Sequence, residues 1–314
     1  MGLYGGVGTR NHGYGRKMDY AGQQALQARY GGGHFSTVAT QGALWSAFSA
    51  WANEQGIKDM RDVTPECVSA YADAMRGQGL AVSTRQNRIS AINTVMRQAR
   101  EGRWTTVSPR AAVGEARSQV RTEAPATLDP SRYRNALAQL HATGLNRAAA
   151  VLSLGRECGM RSEEAAKANL GRLLNEAATV GSINIQDGTK GGRDAPRWVP
   201  VTEGIRAALA AAIAARPAGS RNLLAPGESY KAWRSGELRA GREILHTHGI
   251  KGYHDARAAY ACARYAQLTG QQAPVVAGQR TAAKADDRAA RQTIAVELGH
   301  GRSDVARAYV GSSR

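Results

Sequence analysis

Apolar positions recur with helical spacing along the first third of the chain. Leu44, Phe48 and Trp51 fall at i, i+4 and i+7, the stripe of an amphipathic helix. In "TPECVSAYADAM" Thr64 stands as an N-cap and Pro65 at the first helical position, where a missing N–H is harmless. "STRQNRISAINTVMRQARE" opens on a Ser83–Gln86 capping box and sets Ile89, Ile92 and Met96 on one face. These patterns predict a small all-helical domain over residues 37–104. Residues 1–36 mix glycine with basic residues and have no apolar period, which predicts a flexible basic arm.

Residues 105–128 combine Pro, Gly, Ser and Arg without a period and predict an interdomain linker. Asp129-Pro130 then reads as a cap and first-turn pair opening a second domain, 129–314. That domain is patterned as helix except in "GSINIQDGTKGGRDAPRWVPVT", where Ile183 and Ile185 alternate with polar residues and Trp198-Val199 marks a second strand. Gly-rich turns between them predict a small antiparallel hairpin or meander. The polar stretch "GQQAPVVAGQRTAAKADDRAARQ" is weakly patterned and reads as an insertion or long connection.

The 314 residues are 42% hydrophobic, enough for two cores. The formal charge of +17 says more about the partner, because such a surplus suits the neutralisation of phosphates. Both halves are basic, and 35 of the 42 cations are arginine, whose fork matches phosphate oxygens. With no run of about 18 apolar residues and no signal-type start, a soluble, cytoplasmic protein without a membrane partner is expected. Cys67, Cys158 and Cys262 have neither disulfide nor zinc spacing and read as buried thiols.

Four motifs in the second domain carry candidate chemistry. "CGMRSEEA" offers Arg161 and Glu164, "GTKGGRDAPRWVPV" offers Lys190 beside a Gly-Gly turn, "YHDARAAYA" offers His254 and Arg257, and "ELGHGRSDVARAYVG" sets Tyr309 nine residues after His300. Alone, Arg-x-x-Glu is a common helical ion pair, and a lysine beside glycines a common exposed turn. In this order, in a basic chain, the set resembles the catalytic domain of the tyrosine recombinases, the integrases of phages and mobile elements, over residues 130–310. The helical region 37–104 resembles that family's core-binding domain.

The residue types fit phosphodiester chemistry. Cleavage without a metal needs cations on the non-bridging oxygens, and Arg161 and Arg257 supply forked donors. His254 lies at i−3 from Arg257, on the same helical face, while Glu164 would orient Arg161 or its neighbours. A phenol ordinarily titrates near about 10, so Tyr309 as nucleophile needs an acceptor and a positive field, and His300 is suited to help. Nine residues along one helix would put His300 and Tyr309 on opposite faces. Gly301 is therefore expected to break the helix and Ser303 to cap a short new one from Asp304. Tyr253, Tyr260 and Tyr265 are rival nucleophiles on or beside the Arg257 helix.

The resemblance implies a mainly α fold with a small antiparallel β-meander: a helical SAM-like core-binding domain and a DNA breaking-rejoining catalytic domain forming a C-shaped clamp. It implies a site-specific DNA recombinase working through a 3′-phosphotyrosine, with Lys190 as general acid. Thr84, Arg85, Gln86, Asn87 and Arg88, a polar helix start, become candidate DNA contacts. Double-stranded DNA and further protomers assembling on it are the implied partners, with no cofactor, metal or small-molecule substrate, in a bacterium, phage or mobile element. A relaxing topoisomerase of the same chemistry and a non-catalytic DNA-binding regulator are the alternatives. With few residues after Tyr309, exchange of a C-terminal helix between protomers is not expected. The 269–292 stretch becomes a candidate meeting surface.

Overall fold

A computed structural model describes residues 9–189 and 195–313. The chain divides into two compact units, Met1–Ser118 and Gln119–Arg314.

The first unit contains α1 (Met18–Tyr30), α2 (Phe35–Glu54), α3 (Pro65–Gly77), α4 (Val82–Ala99) and α5 (Pro109–Val113). Thr64 caps α3 by accepting from the Cys67 amide at 3.3 Å, with Pro65 opening the helix as expected. The stripes meet in one core, where Trp45 and Phe48 of α2 pack with Tyr71 of α3 and Ile89, Ile92 and Met96 of α4. The Ser83–Gln86 box does not form. Helix α4 begins earlier, at Val82, with Ala81 at the cap position, and Gln86 donates instead to the Glu115 carbonyl at 2.6 Å.

The expected flexible arm is corrected most. Residues 18–30 form α1, whose Met18, Ala21, Ala25 and Leu26 are buried in the same core. Gly22 admits the Trp45 indole, since a Cβ there would lie 2.0 Å from its Nε1. Ahead of the helix, buried Asn11 donates its amide N–H to Asp59 Oδ1 at 2.9 Å and accepts the Met60 amide at 2.8 Å. The expected linker is also partly structured, as α5 packs on α3 and α4 and buries Val113. Of the cysteines, Cys158 and Cys262 are buried while Cys67 is only half-buried.

The second unit runs α6 (Pro130–Ala142), α7 (Asn146–Cys158), α8 (Ser162–Lys167), α9 (Leu170–Thr179), β1 (Ser182–Asn184), β2 (Trp198–Pro200), α10 (Glu203–Ala215), α11 (Tyr230–Ser235), α12 (Glu237–Thr247), α13 (Tyr253–Thr269), α14 (Pro274–Ala277), α15 (Lys284–Glu297) and α16 (Arg307–Val310). Asp129 caps α6, accepting from the Ser131 amide at 2.8 Å. Helix α7 packs against α6, α10, α12 and α13, so it is apolar or small almost all round. The expected meander is two strands among the described residues, β1 and β2 antiparallel with Ile183 opposite Val199, both buried.

The 270–292 stretch, expected as an insertion or long connection, is largely helical. It holds α14 and the first half of α15, which packs on α13 with Ala290 and Ile294 in the core. Its weak pattern has a physical cause, since two positions of the buried face are Asp287 and Arg291, an ion pair at 2.9 Å instead of apolar side chains.

Candidate active site

Four elements of the second unit bring the sequence-derived residues together. Arg161 precedes α8 and Glu164 lies on its first turn; α13 presents His254 and Arg257; the turn after α15 carries His300; and α16 carries Tyr309. The expected break after His300 is present. A 3₁₀ turn over Ser303–Ala306 runs into the single α-turn Arg307–Val310. Ser303 does not cap it, because Arg302 takes the cap position without a side-chain bond.

Glu164 is fully buried among three guanidiniums. Its carboxylate meets Arg161 at 2.5 Å, Arg197 at 2.8 Å and Arg257 at 3.5 Å. Burial opposes its charge, but Arg197, Arg257 and Arg161 prevail and hold its pKa below the usual value. Three cations share one carboxylate, so the cluster keeps positive charge.

The two expected phosphate arginines differ in access. Arg161 is partly exposed and lines a cavity of about 750 Å³ with Glu164, Thr189, Arg197, His300 and Tyr309. Arg257 is fully buried and committed. It donates to the carbonyls of Gly159 and Leu298, at 2.5 Å each, and through Nε to the Tyr309 hydroxyl at 3.3 Å. Burial pulls its pKa down to about 10, which leaves it charged at neutral pH. Of the two, Arg161 is the one that opens onto the cavity. Arg257 sits behind the phenol, its guanidinium 5.5 Å from the ring centre.

Tyr309 is 4% exposed. Its hydroxyl lies 3.1 Å from His300 Nε2, which also faces an Arg257 nitrogen at 3.3 Å. Arginine can only donate, so Nε2 carries a lone pair, and the phenol donates to the same nitrogen. Burial first, then Arg257, Arg161 and Arg197, lower His300 to about 4, consistent with a neutral acceptor ring. His254 makes no hydrogen bond to another described residue, stands exposed at the start of α13, and has its ring centre 5.5 Å from that of Tyr309. Its pKa is lowered, by desolvation from the surrounding protein and then by Arg257, Arg121 and Arg161.

The rival tyrosines are core residues. Tyr260 donates to Glu297 at 2.7 Å, Tyr265 to Asp287 at 2.8 Å, and Tyr253 is 4% exposed. Burial raises the pKa of all three. Lys190 lies outside the described residues. Of the candidate DNA contacts on α4, Arg85 turns inward to Glu115 at 2.7 Å, Arg88 bonds the Tyr71 hydroxyl at 2.9 Å, Gln86 is tied to Glu115 and Thr84 is half-buried. Only Asn87 is exposed, which corrects the picture of an open polar face.

Sequence reasoning missed Arg197. It is 3% exposed, precedes β2 and joins Glu164 to the Gly159 and Glu297 carbonyls. It also missed Asp255, beside His254, which accepts from Arg121 at 2.6 Å and from the Thr127 amide at 2.9 Å. Arg197 stands in the quoted "PRWVPV", but no spacing distinguished it.

The fold is that of a tyrosine-type site-specific recombinase. Residues 115–263 match the family model Integrase. Among solved structures, the Tn1549 transposon integrase in complex with a circular intermediate DNA superposes with a TM-score of 0.59 at 10% identity, covering 93% of this chain and 95% of the other. A lambda integrase dimer bound to a COC′ core site gives 0.60 at 15% identity, covering 93% of each chain. At such identities the likeness is one of fold. No curated protein matches the sequence. Among the described residues no helix is long and apolar enough to cross a membrane.

Proposed function

We propose that this recombinase cleaves DNA with Tyr309 as nucleophile. The observation that carries the reading is the phenol's place, between Arg257 Nε and His300 Nε2 at the wall of a cavity that Arg161 enters. Tyr309 Oη bonds to phosphorus as the bond to the 5′-oxygen breaks. The phenol proton passes to His300 Nε2, and the departing oxygen takes a proton from an acid, giving a 3′-phosphotyrosine and a free 5′-hydroxyl. Arg161 stabilises charge on the non-bridging oxygens, and Arg257 stabilises the developing phenolate. His254, whose ring nitrogens bond no other described residue, contacts the same phosphate. A 5′-hydroxyl from a partner strand reverses the step.

Lys190 is proposed as the acid from its sequence context, and described Thr189, one residue before it, lines the cavity. The two integrase structures were solved with DNA, one of them as a dimer. By extension, this chain binds double-stranded DNA and assembles there with further protomers, in the cytoplasm of a bacterial host.

The test is trapping on a nicked suicide substrate. Tyr309→Phe should keep DNA affinity and lose every SDS-resistant adduct, since it removes one hydroxyl and no cation. Adducts that persist would move the nucleophile elsewhere. Lys190→Ala should cleave ordinary DNA slowly and a 5′-bridging phosphorothiolate at close to the wild-type rate, because a thiolate leaves unprotonated. Equal slowing on both substrates would remove Lys190 as the acid.

A further inference from the structure

We infer that Arg291 is a positioning residue for the nucleophile, fixing the main chain just beyond Tyr309 and so holding the phenol between Arg257 and His300. The inference rests on Tyr309 being the nucleophile. Helix α16 is four residues long and has no side-chain cap, so it cannot hold a conformation unaided. Its position comes from outside contacts.

Before the tyrosine, the Arg121 amide donates to the Arg307 carbonyl at 3.0 Å. After it, Arg291 donates from two nitrogens to consecutive carbonyls, Gly311 and Ser312, at 2.9 Å each. The guanidinium is itself fixed. Its Nε donates to both oxygens of buried Asp287, at 2.9 and 3.0 Å, and Asp287 accepts from the Tyr265 hydroxyl at 2.8 Å. Arg291 does not line the active-site cavity, and Asp287 balances its charge, so its action on Tyr309 is mechanical. Gly311 completes the seat. Its φ is +86°, and a Cβ there would lie 2.7 Å from the Val275 amide nitrogen.

A planar fork on two successive carbonyls constrains both position and orientation, which a lysine cannot do. Displacing a reacting atom by about 1 Å can slow a reaction on the order of 100-fold. Loss of the clamp should therefore act on the chemical step and spare DNA affinity.

The experiment measures single-turnover adduct formation at saturating suicide DNA, together with DNA affinity and thermal melting, for wild type, Arg291→Ala, Arg291→Lys, Gly311→Ala and the Arg291→Ala/Gly311→Ala pair. Arg291→Ala and Gly311→Ala should each slow adduct formation about 10- to 100-fold with affinity unchanged. Arg291→Lys should recover part of the rate, and the pair should be no slower than the slower single variant, because both release one segment. Wild-type rates in a folded Arg291→Ala, equal losses in affinity and rate, or multiplying effects in the pair would overturn the assignment. Should Arg291→Ala lose its cooperative melt, Gly311→Ala decides alone, as it leaves the Asp287–Arg291 pair intact. A wild-type protein that forms no adduct would instead refute the nucleophile itself.

Discussion

Both units bury arginine, and the difference lies in how many guanidiniums share each carboxylate. In the first unit Arg85 meets Glu115 at 2.7 Å, one cation to one anion, and the carboxylate is half exposed to solvent. In the second, Arg161, Arg197 and Arg257 share the single buried Glu164. The first arrangement is neutral and pins α4 to the chain after α5. The second leaves uncompensated positive charge beside a cavity, where an anionic transition state would gain most. Arginine content alone does not separate the two.

The comparison breaks most sharply at the carboxylates. Glu164→Ala removes the carboxylate from two buried guanidiniums, Arg197 and Arg257, and from the partly exposed Arg161, and should cost about 3–5 kcal/mol of stability, the scale for breaking a buried pair. Glu115→Ala should cost no more than about 1 kcal/mol, as for an exposed partner. Urea unfolding of the two variants checks the contrast, and equal losses would place both clusters in one class.

Next come the cations. Arg161→Ala should slow adduct formation about 100- to 1,000-fold at saturating DNA, the usual effect of removing one charge-stabilising donor. Arg85→Ala should leave the rate at the wild-type value. Salt sharpens the same contrast, since each neutralised phosphate contributes about −0.9 to the log–log slope of affinity. Arg161→Ala should make that slope shallower, and Arg85→Ala should not change it.

The smallest effect is on pH dependence. His300 sits at about 4 in the folded protein against 6.5 for an ordinary imidazole. Between those values the unfolded chain binds a proton that the folded chain refuses, so stability rises with pH and this contribution is complete above 6.5. His300→Gln should flatten the rise of the urea midpoint across that window. An unchanged slope would show that His300 does not titrate so low.

Much of the site was legible because its chemistry sits in short motifs. Arg161 and Glu164 are three residues apart, His254 and Arg257 likewise, and the break between His300 and Tyr309 followed from helical geometry. Less of the packing was legible. Helix α1 consists mostly of helix formers but lies between glycine-rich stretches that hid it, and its glycine at position 22 has a reason only when Trp45 lies across it. Helix α15 hid its buried face behind Asp287 and Arg291, which pair with each other and with the segment after Tyr309.

The sequence by itself determined the helical class, the paired strands around Ile183 and Val199, and the set of residues able to act on a phosphodiester, because each depends on local periodicity or on side-chain type. Tertiary structure alone decided which arginines stay open. Whether a guanidinium faces a cavity, as Arg161 does, or spends its donors on distant carbonyls, as Arg257, Arg197 and Arg291 do, depends on partners as much as 100 residues away. No local pattern encodes such pairings, since a buried donor is satisfied by whichever acceptor the packing of helices brings within reach.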